Sequence, residues 1–130
     1  MSNKIYYKKL CCADENSGRS ISGVSEFEVR YEIGKWSKPL PNTGGLYVFE
    51  TLEDAQNFQF GSSIWECVVK NPRKVKYIGD VMGCNYSSYT ISHFWEFVLK
   101  KKRVSDTNYC TEAPNGTILC DAVKITKRID

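Results

Sequence analysis

At 130 residues and 42% apolar content, the chain is long enough to bury about two thirds of its unfolded surface around one core, so a single domain over residues 1–130 is expected. No apolar run approaches the roughly 18 to 20 residues that cross a bilayer, and MSNKIYYKKL carries no apolar secretion core, so neither a membrane span nor export is expected and the chain belongs in the cytoplasm. The formal charge of +3 is unevenly spread: residues 1–65 hold seven basic and eight acidic side chains, residues 66–130 eleven and seven, which places the positive field in the second half.

In chain order, KIYYKKL opens as a strand that alternates Ile5 and Tyr7 against Tyr6 and Lys8, and CCADENSGRS follows as turn material. SISGV is short and ambiguous. From Phe27 the period is 2, with Phe27, Val29, Tyr31 and Ile33 facing one way and Glu28, Arg30 and Glu32 the other, as in a half-buried strand that ends at Gly34. Pro39, Pro41, Gly44 and Gly45 break the chain until LYVF (46–49), whose unbroken apolar character predicts a central strand.

Thr51 followed three residues later by Asp54 is a helix start, because the threonine hydroxyl can accept from the Asp54 amide while Glu53 and Asp54 suit the positive end of the helix dipole. A short helix with Leu52, Ala55 and Phe58 on one stripe therefore begins at Leu52 and stops at Gly61, and IWECVVK forms the next strand up to Asn71-Pro72. A brief strand at Val75 to Ile78 precedes a connection marked by Gly79, Gly83 and Asn85.

The strongest periodicity lies at Ile91, Phe94, Trp95, Val98 and Leu99, spaced i, i+3, i+4, i+7 and i+8, which predicts a second, longer helix from Ser87 or Ser88 to about Lys101. Phe97 falls off that stripe and needs a second partner: another part of the core, a subunit interface or a ligand ring. The tail YCTEAPNGTILCDAVKITK reads as strand, Asn115-Gly116 turn and strand, a hairpin with Leu119, Val123 and Ile125 on one face and Ile118, Cys120 and Ala122 on the other. The sum is an α+β protein with a mainly antiparallel sheet of five or six strands and two helices.

Few residues carry chemistry. The six cysteines include no C-x-x-C pair and the single histidine, His93, has no nucleophile at an informative spacing, so free thiols and no zinc site are expected. Glycine-rich phosphate loops are absent, which argues against nucleotide hydrolysis and dinucleotide cofactors, and no cofactor and no enzyme activity are expected. Lys100-Lys101-Lys102-Arg103 closes the second helix, either complementing the helix dipole or facing an anionic partner.

YEIGKW (31–36), GGLYVFETLEDAQNF (44–58), IWECVVK (64–70) and APNGTILCDAVKITKRI (113–129) resemble a group of small accessory proteins encoded by bacteriophages and prophages, over roughly residues 27–72 and 109–129. Among such proteins the chain resembles the Thoeris anti-defence sponges. That resemblance implies an oligomer, at least a dimer, in the cytoplasm of a bacterial host, which sequesters a cyclic nucleotide such as a cyclic ADP-ribose isomer or a cyclic oligonucleotide without cleaving it. Arg103, Lys102 and Arg30 are the candidates for phosphate, since a guanidinium can donate two bonds to one phosphate, and Phe97 and Trp36 the candidates for stacking on a base. The alternatives are a protein-binding inhibitor of a host enzyme and, third, an RNA or single-stranded DNA binder.

Overall fold

The computed structural model describes residues 4–20, 28–41, 43–58, 60–79, 88–103 and 110–129. The elements in chain order are β1 (Tyr6–Leu10), β2 (Ser17–Arg19), β3 (Arg30–Glu32), β4 (Trp36–Ser37), β5 (Leu46–Phe49), α1 (Leu52–Asn57), β6 (Ser63–Lys70), β7 (Arg73–Lys74), β8 (Tyr77–Gly79), α2 (Ser88–Leu99), β9 (Cys110–Glu112), β10 (Thr117–Cys120) and β11 (Ala122–Arg128). The expected α+β class, antiparallel pairing and two helices hold. The main sheet has seven strands in the order β4-β11-β6-β1-β5-β10-β7, with β2-β3 and β8-β9 as separate two-stranded sheets.

The sheet order forces curvature. β10 and β11 are two halves of one run interrupted only at Asp121, yet β6, β1 and β5 separate them. Two peptide links span roughly 7 Å, whereas four strand spacings in a flat sheet need about 19 Å. The sheet must therefore roll into a barrel whose ring closes through the bend at Asp121. The partner ribbon bends at the same level: Ala122 pairs Lys70 on β6, Leu119 pairs Arg73 on β7, and Asn71 between them takes a φ of +52°.

The bend also resets the faces. Ile118 and Cys120 point into the barrel, and after Asp121 the inward positions become Val123 and Ile125, so Leu119 faces out where the expected pattern grouped it with Val123 and Ile125. A single extra residue in a strand moves every later side chain to the opposite face. The interior is completed by Tyr6, Leu10, Leu46, Val48, Trp65, Cys67 and Tyr31. Trp65 Nε1 is satisfied by Ser63 Oγ at 2.8 Å, and that hydroxyl in turn donates to Leu10 O at 3.2 Å. In β1 the expected alternation holds: Tyr6, Lys8 and Leu10 are buried on one face, and Tyr7 and Lys9 are half-buried on the other with Ile5 exposed.

Both helices pack outside. Thr51 Oγ1 accepts from the Asp54 amide at 3.1 Å, as its spacing predicts, and α1 buries Ala55 beside Phe49, Ile64 and Tyr7. α2 seats Phe94 and Trp95 on Tyr47 and Leu119, the Tyr47 and Trp95 rings stacking at 5.8 Å. Its expected stripe runs out at Leu99, which is 52% exposed, because the chain turns away there. Lys101 adopts a φ of +55°, with Lys102 N donating to Phe97 O and Lys101 N to Val98 O, the paired bonds of a left-handed helix stop. The side chain of Ile91, the start at Ser87 and the predicted position of Phe27 lie outside the described residues.

Other expectations are corrected. The first strand of the Phe27–Ile33 pattern contracts to β3, while CCADENSGRS, expected as turn, contributes β2, whose Gly18 pairs Tyr31. Asn115-Gly116 does form a turn, with Gly116 at a φ of +77°, but β9 and β10 do not pair across it; β9 pairs β8 and β10 lies between β5 and β7. The turn instead docks on the start of α1, with Gly116 O accepting from Glu50 N at 2.8 Å and the Asp54 carboxylate lying over the glycine. Gly116→Ala should therefore lose about 1 to 2 kcal/mol from the left-handed backbone alone, read as a lower urea midpoint at unchanged m-value.

Lys8 gives the core a pH signature. Burial lowers its ammonium from 10.5 to about 8, while burial pushes the Cys67 thiol up to about 12 and the Cys120 thiol to about 11, and raises the Tyr31 hydroxyl. Between pH 8 and 10.5 the unfolded chain holds a proton on Lys8 that the folded chain has released, so stability rises with pH there. Above pH 9 the unfolded thiols ionise and the folded ones do not, so stability falls. Chemical denaturation across pH should give a maximum near pH 9, with slopes of about 1.4 kcal/mol per unit at most for each group. Lys8→Met should abolish the rising limb and leave the fall.

Candidate functional site

The turn between β3 and β4 is built by Gly34 at a φ of +79° and by Lys35 N donating to Glu32 O at 3.1 Å. Gly34 N donates to Ile125 O at 2.9 Å, which ties the turn to β11, and Trp36 then pairs with Lys124 across the sheet edge. Trp36 is 39% exposed. The Lys70 ammonium lies 4.5 Å from its ring centroid and that of Lys124 5.0 Å, so cations from β6 and β11 converge on one indole.

The bend makes this convergence possible, since it is Lys70, opposite Ala122 at the corner, that reaches Trp36 from the next strand but one. Arg30 joins the same neighbourhood: its carbonyl accepts from Ser37 Oγ at 3.1 Å. Its guanidinium lies 3.7 Å from Glu32, and Lys35 binds the other oxygen of that carboxylate at 2.8 Å, holding the Glu32 carboxyl below its ordinary range. Two cations, Lys70 and Lys124, therefore face the Trp36 ring, and two more, Arg30 and Lys35, are held on the Glu32 carboxylate of the adjoining β3 turn.

The other three sequence candidates form a second group. Phe97 is half-buried with the Lys102 ammonium 5.5 Å over its ring, and Arg103 is exposed one residue further on. Lys100 is engaged with Glu96 at 2.8 Å. The five candidates thus divide between the β3–β4 turn (Arg30, Trp36) and the end of α2 (Phe97, Lys102, Arg103). Lys124 is not legible as a site residue in the sequence, because only the register of β4 on β11 sets it against Trp36, and Lys70 is merely one of the eleven basic residues of the second half.

A cleft of about 550 Å³ opens elsewhere, between β7, the loop before β8, the 113–116 turn and the start of α1. Glu50, Asp54 and Glu112 line it against Lys74 and Lys76, and Lys4 lies 3.5 Å from Glu50, so the cleft carries both signs of charge in near balance. Among the described residues no group of three or more His, Cys, Asp or Glu side chains is placed to hold a metal ion, and no helix is long and apolar enough to cross a membrane. Cys84 and the side chain of His93 lie outside the described residues.

The thiols differ in access. Cys67 and Cys120 are buried, Cys120 Sγ donating to Leu46 O at 3.3 Å, while Cys12 is exposed and Cys11 and Cys110 are intermediate. Cys110 pairs with Gly79 and Cys120 with Leu46, so the two lie on different sheets. In a native-state reaction with a thiol reagent, Cys12 should be modified within minutes, and Cys67 and Cys120 only at the rate of unfolding, as mapped by mass spectrometry.

Comparisons with protein-family models, with curated proteins and with solved structures find no match to this chain.

Proposed function

We propose that this chain is a non-catalytic binder of a small anionic nucleotide, with Trp36 as the stacking platform and Lys70, Lys124 and Arg30 as its phosphate partners. The observation that carries this is the convergence of two ammonium groups on one exposed indole at a sheet edge. An exposed cation–π contact is worth about 0.5 to 1 kcal/mol. Base stacking on an aromatic contributes about 1 to 3 kcal/mol, and each charged hydrogen bond about 1.5 to 3 kcal/mol. A nucleotide therefore displaces the lysines from the ring and re-engages them as phosphate donors.

The resemblance to anti-defence sponges narrows the ligand to a cyclic nucleotide signal, a cyclic ADP-ribose isomer or a cyclic oligonucleotide, held by an oligomer in the cytoplasm of a phage-infected bacterium. A second reading has its own observation: Ile33, 37% exposed, sits on the same turn as Trp36, and the two would also suit docking on a host protein.

Calorimetric titration with cyclic ADP-ribose isomers and cyclic oligonucleotides separates these. Trp36→Ala should weaken binding about five- to 150-fold, and Lys70→Ala with Lys124→Ala about tenfold or more. Arg103→Ala should leave the affinity unchanged. Loss of binding on Arg103→Ala alone would move the site to the end of α2, and no binding by the wild type would leave the protein inhibitor ahead.

A further inference from the structure

The barrel interior contains a cation that no carboxylate among the described residues neutralises. Lys8 is 8% exposed, and its Nζ donates one hydrogen bond, to Tyr47 O at 2.6 Å. Its other close contact is the Tyr31 ring, whose centroid lies 5.0 Å away. Neither contact brings a negative charge, and among the described residues no carboxylate pairs with Lys8. A buried, unpaired ammonium is among the costliest arrangements a core can hold.

Tyr31 adds a second irregularity. It is 1% exposed, and its hydroxyl is buried without a hydrogen-bond partner among the described residues. The remaining polar groups near Lys8 are the thiols of Cys67 and Cys120, both kept protonated by burial, and the Cys120 thiol is already spent on Leu46 O.

The side-chain inventory is dominated by donors: two N–H bonds of Lys8, the Tyr31 O–H and the Cys67 S–H, with the phenol oxygen and sulfur as weak acceptors. A water molecule placed among them would accept from Lys8 but bring two O–H bonds of its own into a shell with little to receive them. An anion brings none, accepts from every donor present and cancels the buried charge.

We propose that Lys8 and Tyr31 form an internal binding site for one small monoanion of the halide class, enclosed in the barrel. Tyr31 is delivered by β3, from outside the seven-stranded sheet, so the site draws on both sheets. The site is separate from the Trp36 surface and stands whether or not that surface binds a nucleotide.

Bromide is the probe. Wild type, Lys8→Met and Tyr31→Phe are melted in sodium bromide and in sodium gluconate at matched ionic strength, and wild-type crystals grown in bromide are measured at its absorption edge. At bromide ten times above its Kd the wild-type Tm should rise by about 4 °C or more over gluconate, with no rise for Lys8→Met and a smaller one for Tyr31→Phe. An anomalous peak should lie within hydrogen-bond reach of Lys8 Nζ and Tyr31 Oη. Equal Tm shifts in wild type and Lys8→Met, or density at that position without anomalous signal, which would mark a water, would overturn the site. If Lys8→Met fails to fold, Tyr31→Phe decides by the same criteria.

Discussion

The corner at Asp121 is the constraint on which the rest of the architecture depends. Two ribbons, β6 with β7 and β10 with β11, change direction at the same level, and the side chains at the corner clasp them. Asp121 accepts from Asn71 Nδ2 at 2.9 Å and from Arg73 Nη1 at 3.0 Å, and its amide donates to Lys70 O at 2.9 Å. The hydrogen bond from Asn71, with the Arg73 guanidinium behind it, holds the Asp121 carboxyl below its ordinary range. Arg73 also donates through Nη2 to Gly44 O at 3.0 Å, so the clasp extends to the segment that enters β5. Exposed ion pairs add little to stability on their own. Here their value is geometric, since they fix where two strands leave one half of the barrel for the other.

From that corner the distribution of chemistry over the surface follows. The outer face of β5 and β10 is covered by α2 and that of β1 and β5 by α1, so apolar groups there meet helices. Lys70 and Lys124, on β6 and β11, meet the indole of Trp36 instead. The mixed-charge cleft forms where the 113–116 turn meets α1. A cationic aromatic surface and a concavity of both charges thus occupy different parts of a small protein.

Local chemistry was legible in the sequence wherever a residue's role is decided by its immediate neighbours. Thr51 caps α1 because the acceptor and the amide are three residues apart, and LYVF is central because nothing polar interrupts it. Phe94 and Trp95 bury for the same reason of spacing. Roles decided by distant segments were not legible. The Asn115-Gly116 turn is real, but which strands flank it depends on β5, β7 and β8, and the bend at Asp121 inverts the faces that simple alternation assigns to Leu119 and Val123. Lys8 alternates like any strand residue, and nothing within ten residues of it announces that its ammonium ends inside a barrel. The candidate site divided for a similar cause: Arg30 and Trp36 are joined by a turn, whereas Phe97, Lys102 and Arg103 were grouped with them by residue type, which carries no distance.

Both rims of the main sheet are two-residue strands, β4 on one side and β7 on the other. An incoming chain could form about one pair of backbone hydrogen bonds at either rim before running out of template. Growth of the main sheet by strand addition at these rims therefore finds little template in the folded state, whatever charges flank them. Copies that meet at either rim must rely on side chains, which makes such an association a matter of surface complementarity and reversible by changing single residues.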